Sequence, residues 1–526
     1  MSSDPPAGPP GSPAARVRAA YRRIAEADRP EIWITLRARD DALADARAVE
    51  KRLAAGESQP LAGLVVAVKD NIDVAGLPTT AACPEFAYLP TTTAVAVERL
   101  REAGAVVLGK TNLDQFGTGL VGTRTPYGAV RNSRHPQLIA GGSSSGSAVA
   151  VALGIADIGI GTDTAGSVRV PAALNGIIGI KPTLGIVPTH GVVPACPSFD
   201  AVSVLAADLA VATAAAAVMT GPDPGDPRSR TWPPDVRLAA PDNPRIAIPD
   251  AANLTALSDT YRDAFERSVI RASEAGCSIE PVDISVLLEA ALLLYDGAFV
   301  AERYAAVGEF LAGAHRGADP HVAAIISAGR AITGPAFAAD LDALAHARAA
   351  AAKLLAGFDA LLLPTTTEHP ALADVRAEPF SINRRMGTYT NFCNLLDMAA
   401  VAVPGVPTAT GGPFGVMIVV PAFHDQIAVD IAARFCATAP ALLIESCCEV
   451  ALFGLEPLRR QLELLGARHV GHATPKPGRA VPSRAELFRV SEAVLGRLVA
   501  DLPAPAVLTV VELEDGRTVT GLTEKG

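Results

Sequence analysis

The sequence predicts an α/β layered fold. Two short apolar runs carry that expectation: Leu64-Val65-Val66-Ala67-Val68, which ends in Lys69, and Ala105-Val106-Val107-Leu108. Residues 94–103 between them are patterned as a helix. A sheet covered by helices on both faces has strands that read as unbroken apolar runs rather than alternating ones.

The remaining elements follow in order. Residues 1–13 are polar and proline-rich, which predicts a disordered tail. Residues 14–55 are rich in arginine, alanine and glutamate and predict helix, broken at Pro30. Trp33 sits where this arm is expected to dock. Residues 147–153 predict a helix that opens on a glycine-serine loop. Residues 155–160 and 176–180 are short apolar segments, and the proline-rich stretch 221–227 is a loop. Residues 256–277, 285–313 and 336–355 predict helices. Residues 360–363 and 416–420 predict late strands that return to the sheet.

Near residue 467 the pattern changes. Residues 472–478 are linker-like. Ser483 and Glu486 suggest a capping box that opens a helix running to about residue 500. Residues 507–513 and 517–522 flank Asp515-Gly516, a hairpin signal. The expected organisation is therefore a tail over 1–13, a main domain over 14–466, and a linker with a truncated C-terminal segment over 467–526.

Composition removes several function classes. The net charge is -10 and no basic stripe is present, which argues against nucleic acid as a partner. Seven scattered cysteines without a CxxC pair fit neither a disulfide framework nor a zinc ribbon, and suit a reducing cytosol. The N-terminus lacks the apolar core of a signal peptide, and no run reaches the roughly 18 apolar residues of a membrane span. A soluble cytoplasmic protein without membrane contact is expected.

Two loops concentrate the chemistry: Gly141-Gly142-Ser143-Ser144-Ser145-Gly146-Ser147 and Gly161-Thr162-Asp163-Thr164-Ala165-Gly166-Ser167. Hydroxyls on glycine-rich backbone can converge with N–H groups on one point. Residues 142–146 match G-x-S-x-G, which would make Ser144 a nucleophile served by a histidine. However, the preceding Arg134-His135-Pro136-Gln137 is turn-like rather than a strand, and His135, His190, His369 and His424 lack a distinctive context. A phosphate cradle is another reading, but no Gly-Lys-Ser/Thr follows. A third reading uses a lysine base. Lys69 ends an apolar strand, and burial can keep an amine neutral at pH 7.

Taken together, Ala67-Val68-Lys69-Asp70, the Gly-Gly-Ser-Ser stretch and residues 162–172 resemble the amidase signature family. The order of these motifs and the 24 positions from Ser143 to Ser167 fit that family, and the resemblance covers about residues 20–460. It implies the family's fold, a central mixed β-sheet flanked by α-helices, here with a short C-terminal α+β remnant. It also implies a Ser–cis-Ser–Lys triad with Ser167 as nucleophile, Ser143 as bridging serine and Lys69 as base. The N–H groups of Thr164, Ala165 and Gly166 would hold the oxyanion, and Asp163 and Arg169 would be scaffold. Neither cofactor nor metal is implied. A small-molecule amide substrate and a homodimer are.

Within the family the chain is most similar to the allophanate-hydrolysing branch. Residues 69–84, the triple-serine loop, residues 295–304, Tyr389-Thr390-Asn391-Phe392 and residues 421–425 carry that likeness. The implied reaction cleaves the amide C–N bond of allophanate (urea-1-carboxylate) and releases ammonia. Tyr295 and Arg303 would bind this small anion. On one continuous helix they would stand about 12 Å apart along the axis, on roughly one side. Arginine suits a carboxylate because its fork is bidentate.

Two departures matter. Val168 stands where that branch usually has glycine, so added bulk is expected to reshape the pocket. The branch commonly carries a full second domain implicated in decarboxylating the first product. The short tail here leaves N-carboxycarbamate as the expected product. A broader amidase, or the amidase component of a tRNA-dependent amidotransferase, is the alternative.

Overall fold

The structure is a computed structural model that describes residues 11–313, 316–444, 447–476, 484–500, 502 and 506–524. Most of the expected tail lies outside the described residues. Pro13 already opens the helix Pro13–Ala27, where the Ser12 side chain caps the Ala15 N–H.

Among the described residues, sixteen strands form two sheets. They are β1 (Trp33–Leu36), β2 (Val65–Lys69), β3 (Val106–Thr111), β4 (Ile158–Asp163), β5 (Ile178–Lys181), β6 (Ala201–Ala206), β7 (Arg245–Pro249) and β8 (Ser278–Val282). There follow β9 (Ala360–Pro364), β10 (Met398–Pro404), β11 (Gly415–Pro421), β12 (Cys448–Leu452), β13 (Arg468–Ala473), β14 (Ala485–Val490), β15 (Ala506–Glu512) and β16 (Thr518–Glu524).

The large sheet has eleven strands in the order β1-β3-β2-β4-β6-β5-β10-β11-β9-β7-β8. It is mixed: β2 runs parallel to β3 and β4, and β7 to β8 and β9, whereas β4–β6, β5–β6, β5–β10 and β10–β11 are antiparallel. Every residue of β2, β3 and β4 is buried. Burying each of the three valines of β2 contributes about 1.5–3 kcal/mol relative to exposure. The helix Ser145–Ala152 lies across β2, β4 and β6, and its serines, glycine and alanines let it approach the sheet closely.

The structure departs from the sequence expectations in four places. Trp33–Leu36, within the stretch 14–55 expected to be helical, is an edge strand antiparallel to β3. Its Trp-Ile-Thr-Leu composition favours a pleated surface. The helix expected over 285–313 is two helices, Ser285–Leu292 and Val300–Leu311, joined by a turn. The capping box expected at Ser483 lies partly outside the described residues, and its Glu486 sits in β14; helix begins only at Glu492. In β14, Phe488 and Val490 face one core while Ala485 and Leu487 face another. Burial on both faces overrides the local helix signal.

The fourth departure is the boundary near 467. The second sheet, β13-β14-β12-β16-β15, takes in β12 and packs against the helix Glu456–Leu464, both upstream of that residue. Its last two strands form the hairpin that Asp515-Gly516 predicts, with Gly516 at φ 87°.

Candidate active site

The C-terminal ends of neighbouring parallel strands gather side chains at one edge of a sheet. β2 ends there in Lys69, β3 in Thr111 and β4 in Asp163. Lys69 is wholly buried. Its Nζ lies 2.7 Å from Ser143 Oγ, 2.8 Å from Thr162 Oγ1 and 3.1 Å from Thr162 O. Asn71 Nδ2 donates to the same Thr162 Oγ1 at 3.2 Å. Burial pulls the Lys69 amine down to about 7, against the charges of Asp114, Asp163 and Asp200, which act the other way.

These distances set the direction of the amine. A neutral primary amine has two N–H bonds and one lone pair. In the charged amine one N–H donates to Ser143 Oγ; in the neutral amine, N–H bonds given to the two oxygens of Thr162 leave the lone pair for Ser143 Oγ. Thr162 and Asn71 were absent from the expected site. The signal for Thr162 was its place in the same loop as Ser167.

Ser143 follows a cis peptide bond from Gly142. A Cβ on Gly142 would stand 2.1 Å from Asp114 Oδ2, so only glycine fits there. Ser167 is 2% exposed, and its Oγ faces Gly119 O at 3.5 Å. No hydrogen bond joins Ser143 Oγ to Ser167 Oγ. The two loops meet through backbone instead, Ser144 N donating to Ser167 O at 3.0 Å. Ser144, the serine of the G-x-S-x-G reading, turns its Oγ toward Thr162 O at 3.4 Å. Among the described residues no histidine bonds to either loop; the ring of His369, for one, pairs with Ile139 O.

The turn before Ser167 is folded around Asp163. Its carboxylate accepts from the N–H groups of Gly166 (2.9 Å), Val168 (3.1 Å) and Arg169 (3.3 Å) and pairs with the buried Arg169 guanidinium at 2.8 Å. Burial alone would raise this carboxyl; the Arg169 charge and the hydrogen bonds outweigh burial and hold it at about 2. The Gly166 N–H, expected among the oxyanion donors, is thus already committed to Asp163. Among the described residues the N–H groups of Thr164, Ala165 and Ser167 have no acceptor. Gly166 has φ 126°, and a Cβ there would stand 2.4 Å from Thr390 Oγ1.

Arg303, 1% exposed, is a buried charge. Its Nη1 donates to Thr118 Oγ1 and its Nη2 to Tyr295 OH, both at 3.0 Å, and its Nε is buried without a partner. Tyr295 lies in the turn between two helices, so the two side chains meet through that turn and not along one helix. A Cβ on Gly297 in this turn would strike Asp340 Oδ2 at 2.5 Å.

The segment 114–124, which sequence reasoning passed over, ties these parts together. Asp114 N donates to Ser143 O at 3.1 Å, and Thr118 holds Arg303. Gly119 O faces Ser167, and Leu120 O accepts from Gly142 N at 2.9 Å. The anchor of Arg303 and the contact of Ser167 are therefore consecutive residues.

A family model described as Amidase matches residues 15–428. The chain belongs to the amidase family. It is 42% identical over 411 residues to the urea amidolyase of Saccharomyces cerevisiae, covering 77% of this chain and 22% of that protein. It is 37% identical over 533 aligned positions to the urea amidolyase of Lachancea kluyveri, covering 89% of this chain and 29% of that protein. The solved allophanate hydrolase of Kluyveromyces lactis superposes with a TM-score of 0.86 at 35% identity, covering 98% of this chain and 93% of that one. That match therefore takes in the second sheet. A structure described as an amidase covers 81% of this chain at 29% identity, with a TM-score of 0.69. The chain spans only 22–29% of the length of the urea amidolyases it matches.

In this amidase Val168 is fully buried. Its Cγ2 stands 2.8 Å from where a Cβ on Gly161 would be, and its Cγ1 3.4 Å from that of Gly179. Both methyl groups thus fill the space those two glycines leave. A cavity of about 630 Å³ opens beside Tyr295, lined also by Arg124, Leu292, Phe380, Asn383 and Asn391. Tyr295 thus stands between this cavity and Arg303. Among the described residues no single helix is long and apolar enough to cross a membrane.

Proposed function

We propose that this chain hydrolyses the terminal amide C–N bond of allophanate and releases ammonia. The observation that carries the reading is the wholly buried Lys69 amine, at about 7, set 2.7 Å from Ser143 Oγ. Once the Ser167 hydroxyl turns from Gly119 O to Ser143 Oγ, neutral Lys69 takes the Ser143 proton as Ser143 takes that of Ser167, and Ser167 Oγ attacks the amide carbonyl. The amides of Thr164, Ala165 and Ser167 stabilise the oxyanion, a role worth about 3 kcal/mol per donor in related sites. The tetrahedral intermediate collapses, the proton returns through Ser143, and ammonia leaves. Water then attacks the acyl-enzyme and frees N-carboxycarbamate.

Arg303 and Tyr295 are the proposed carboxylate clamp. The buried, unpaired Nε of Arg303 supports this, since a buried guanidinium gains from an anionic partner. The likeness to K. lactis allophanate hydrolase and the S. cerevisiae urea amidolyase supports the choice of substrate. The catalytic unit is proposed to end before the second sheet, as the Amidase match, which stops at residue 428, suggests. A cytoplasmic homodimer is proposed on family resemblance.

Arg303→Ala tests the substrate assignment. Its kcat/KM for allophanate should fall on the order of a hundredfold, while neutral amides change little. Equal losses on both substrate classes would reject the clamp.

A further inference from the structure

The second sheet holds a cluster that the amide chemistry does not use. His469, His472 and Glu486 each bring one donor atom to within 4.8 Å of the other two. The histidines are exposed and Glu486 is half-buried. On a regular strand, residues three apart point to opposite faces. Here the register slips between His469 and Gly471: His469 pairs with Phe488, and His472 with Glu486. Phe488 and Glu486 are two apart on β14 and share a face, so the bulge brings both imidazoles to that side. The His469 ring packs edge-on against Phe488 at 5.1 Å and lies 5.6 Å from the His472 ring. His472 and Glu486 also line a cavity of about 270 Å³, together with Glu456 and Arg484.

We propose that His469, His472 and Glu486 form a binding site for a borderline divalent metal ion of the zinc type. Two imidazoles and one carboxylate are a donor set for such ions, and they leave coordination positions open to water. Zinc–nitrogen bonds of about 2.0–2.1 Å place tetrahedral donors about 3.4 Å apart, so the three atoms close by rotation of exposed side chains. Arg459 stands 3.7 Å from Glu486 Oε1, but it also faces Glu456 and Glu463. Its pull on Glu486 is therefore shared, and the second carboxylate oxygen is left for the ion. The ion would clip the edge strand β13 to β14.

The test is calorimetric titration of ZnCl2 into the metal-stripped full chain, beside H469A, H472A and E486Q. Wild type should take up one equivalent at this site, and each histidine variant should bind on the order of a hundredfold more weakly. Because the chain carries seven cysteines, Co2+ is titrated in parallel. A d–d spectrum without a thiolate charge-transfer band supports the site. Absent binding, binding undiminished in both histidine variants, or a strong near-ultraviolet thiolate band overturns it.

Discussion

Lys69 Nζ and Thr162 are joined twice, through the threonine hydroxyl at 2.8 Å and its carbonyl at 3.1 Å. In the neutral amine that double contact can take both N–H bonds and leave the lone pair for Ser143. In the proposed mechanism the Thr162 hydroxyl is a positioning group for the proton transfer, although it touches no substrate.

Thr162→Val should lower kcat on the order of 10–100-fold with KM little changed, because it frees one N–H bond and lets the lone pair wander. Thr162→Ser keeps the oxygen and should recover most of the loss. Steady-state kinetics of both variants check this; a serine variant as poor as valine would contradict it.

The Asp163–Arg169 pair sets a second expectation. Asp163 is held at about 2, below the ordinary 3.8, so its charged form is favoured in the fold. Its stabilising contribution is fully present above pH 3.8 and is lost as the pH falls through about 2. Asp163→Asn strands the buried Arg169 charge and weakens the turn before Ser167. A loss of about 3–5 kcal/mol at neutral pH is expected from urea denaturation. A shift under 1 kcal/mol, on the order of an exposed pair, would show that the guanidinium is not stranded.

Much of this was legible in the sequence, for a physical reason. β2 is covered on both faces, so its residues are uniformly apolar up to Lys69, and the two glycine-serine loops must be small to let backbones approach. What escaped detection depends on context. β14 carries a helix-start pattern at Glu486, yet it is a strand because two cores claim its alternate residues. The break between Leu292 and Val300 is set by Gly297 against Asp340, a contact distant in the chain. The segment 114–124 acts through backbone contacts to Ser143, Ser167 and Gly142 and through the Thr118 hydroxyl on Arg303, none of which its composition announces.

Val168 provides a third test. Because its methyl groups stand over Gly161 and Gly179, Val168→Ala should cost about 2 kcal/mol of stability. The ranking of allophanate against neutral amides should stay as in wild type. Changed selectivity with unchanged stability would place the side chain in the pocket after all.

The central claim is a Lys69 amine that loses its proton near pH 7 and, once neutral, activates Ser167 through Ser143. Its most direct test is the rate at which a fluorophosphonate labels Ser167 as a function of pH, in wild type and in Lys69→Ala. The account predicts a rate that rises with pH through a single inflection near 7, where the amine loses its proton, and a profile that is low and flat in the variant. An inflection near the ordinary lysine value of 10.5, or the same profile in the variant, would contradict it.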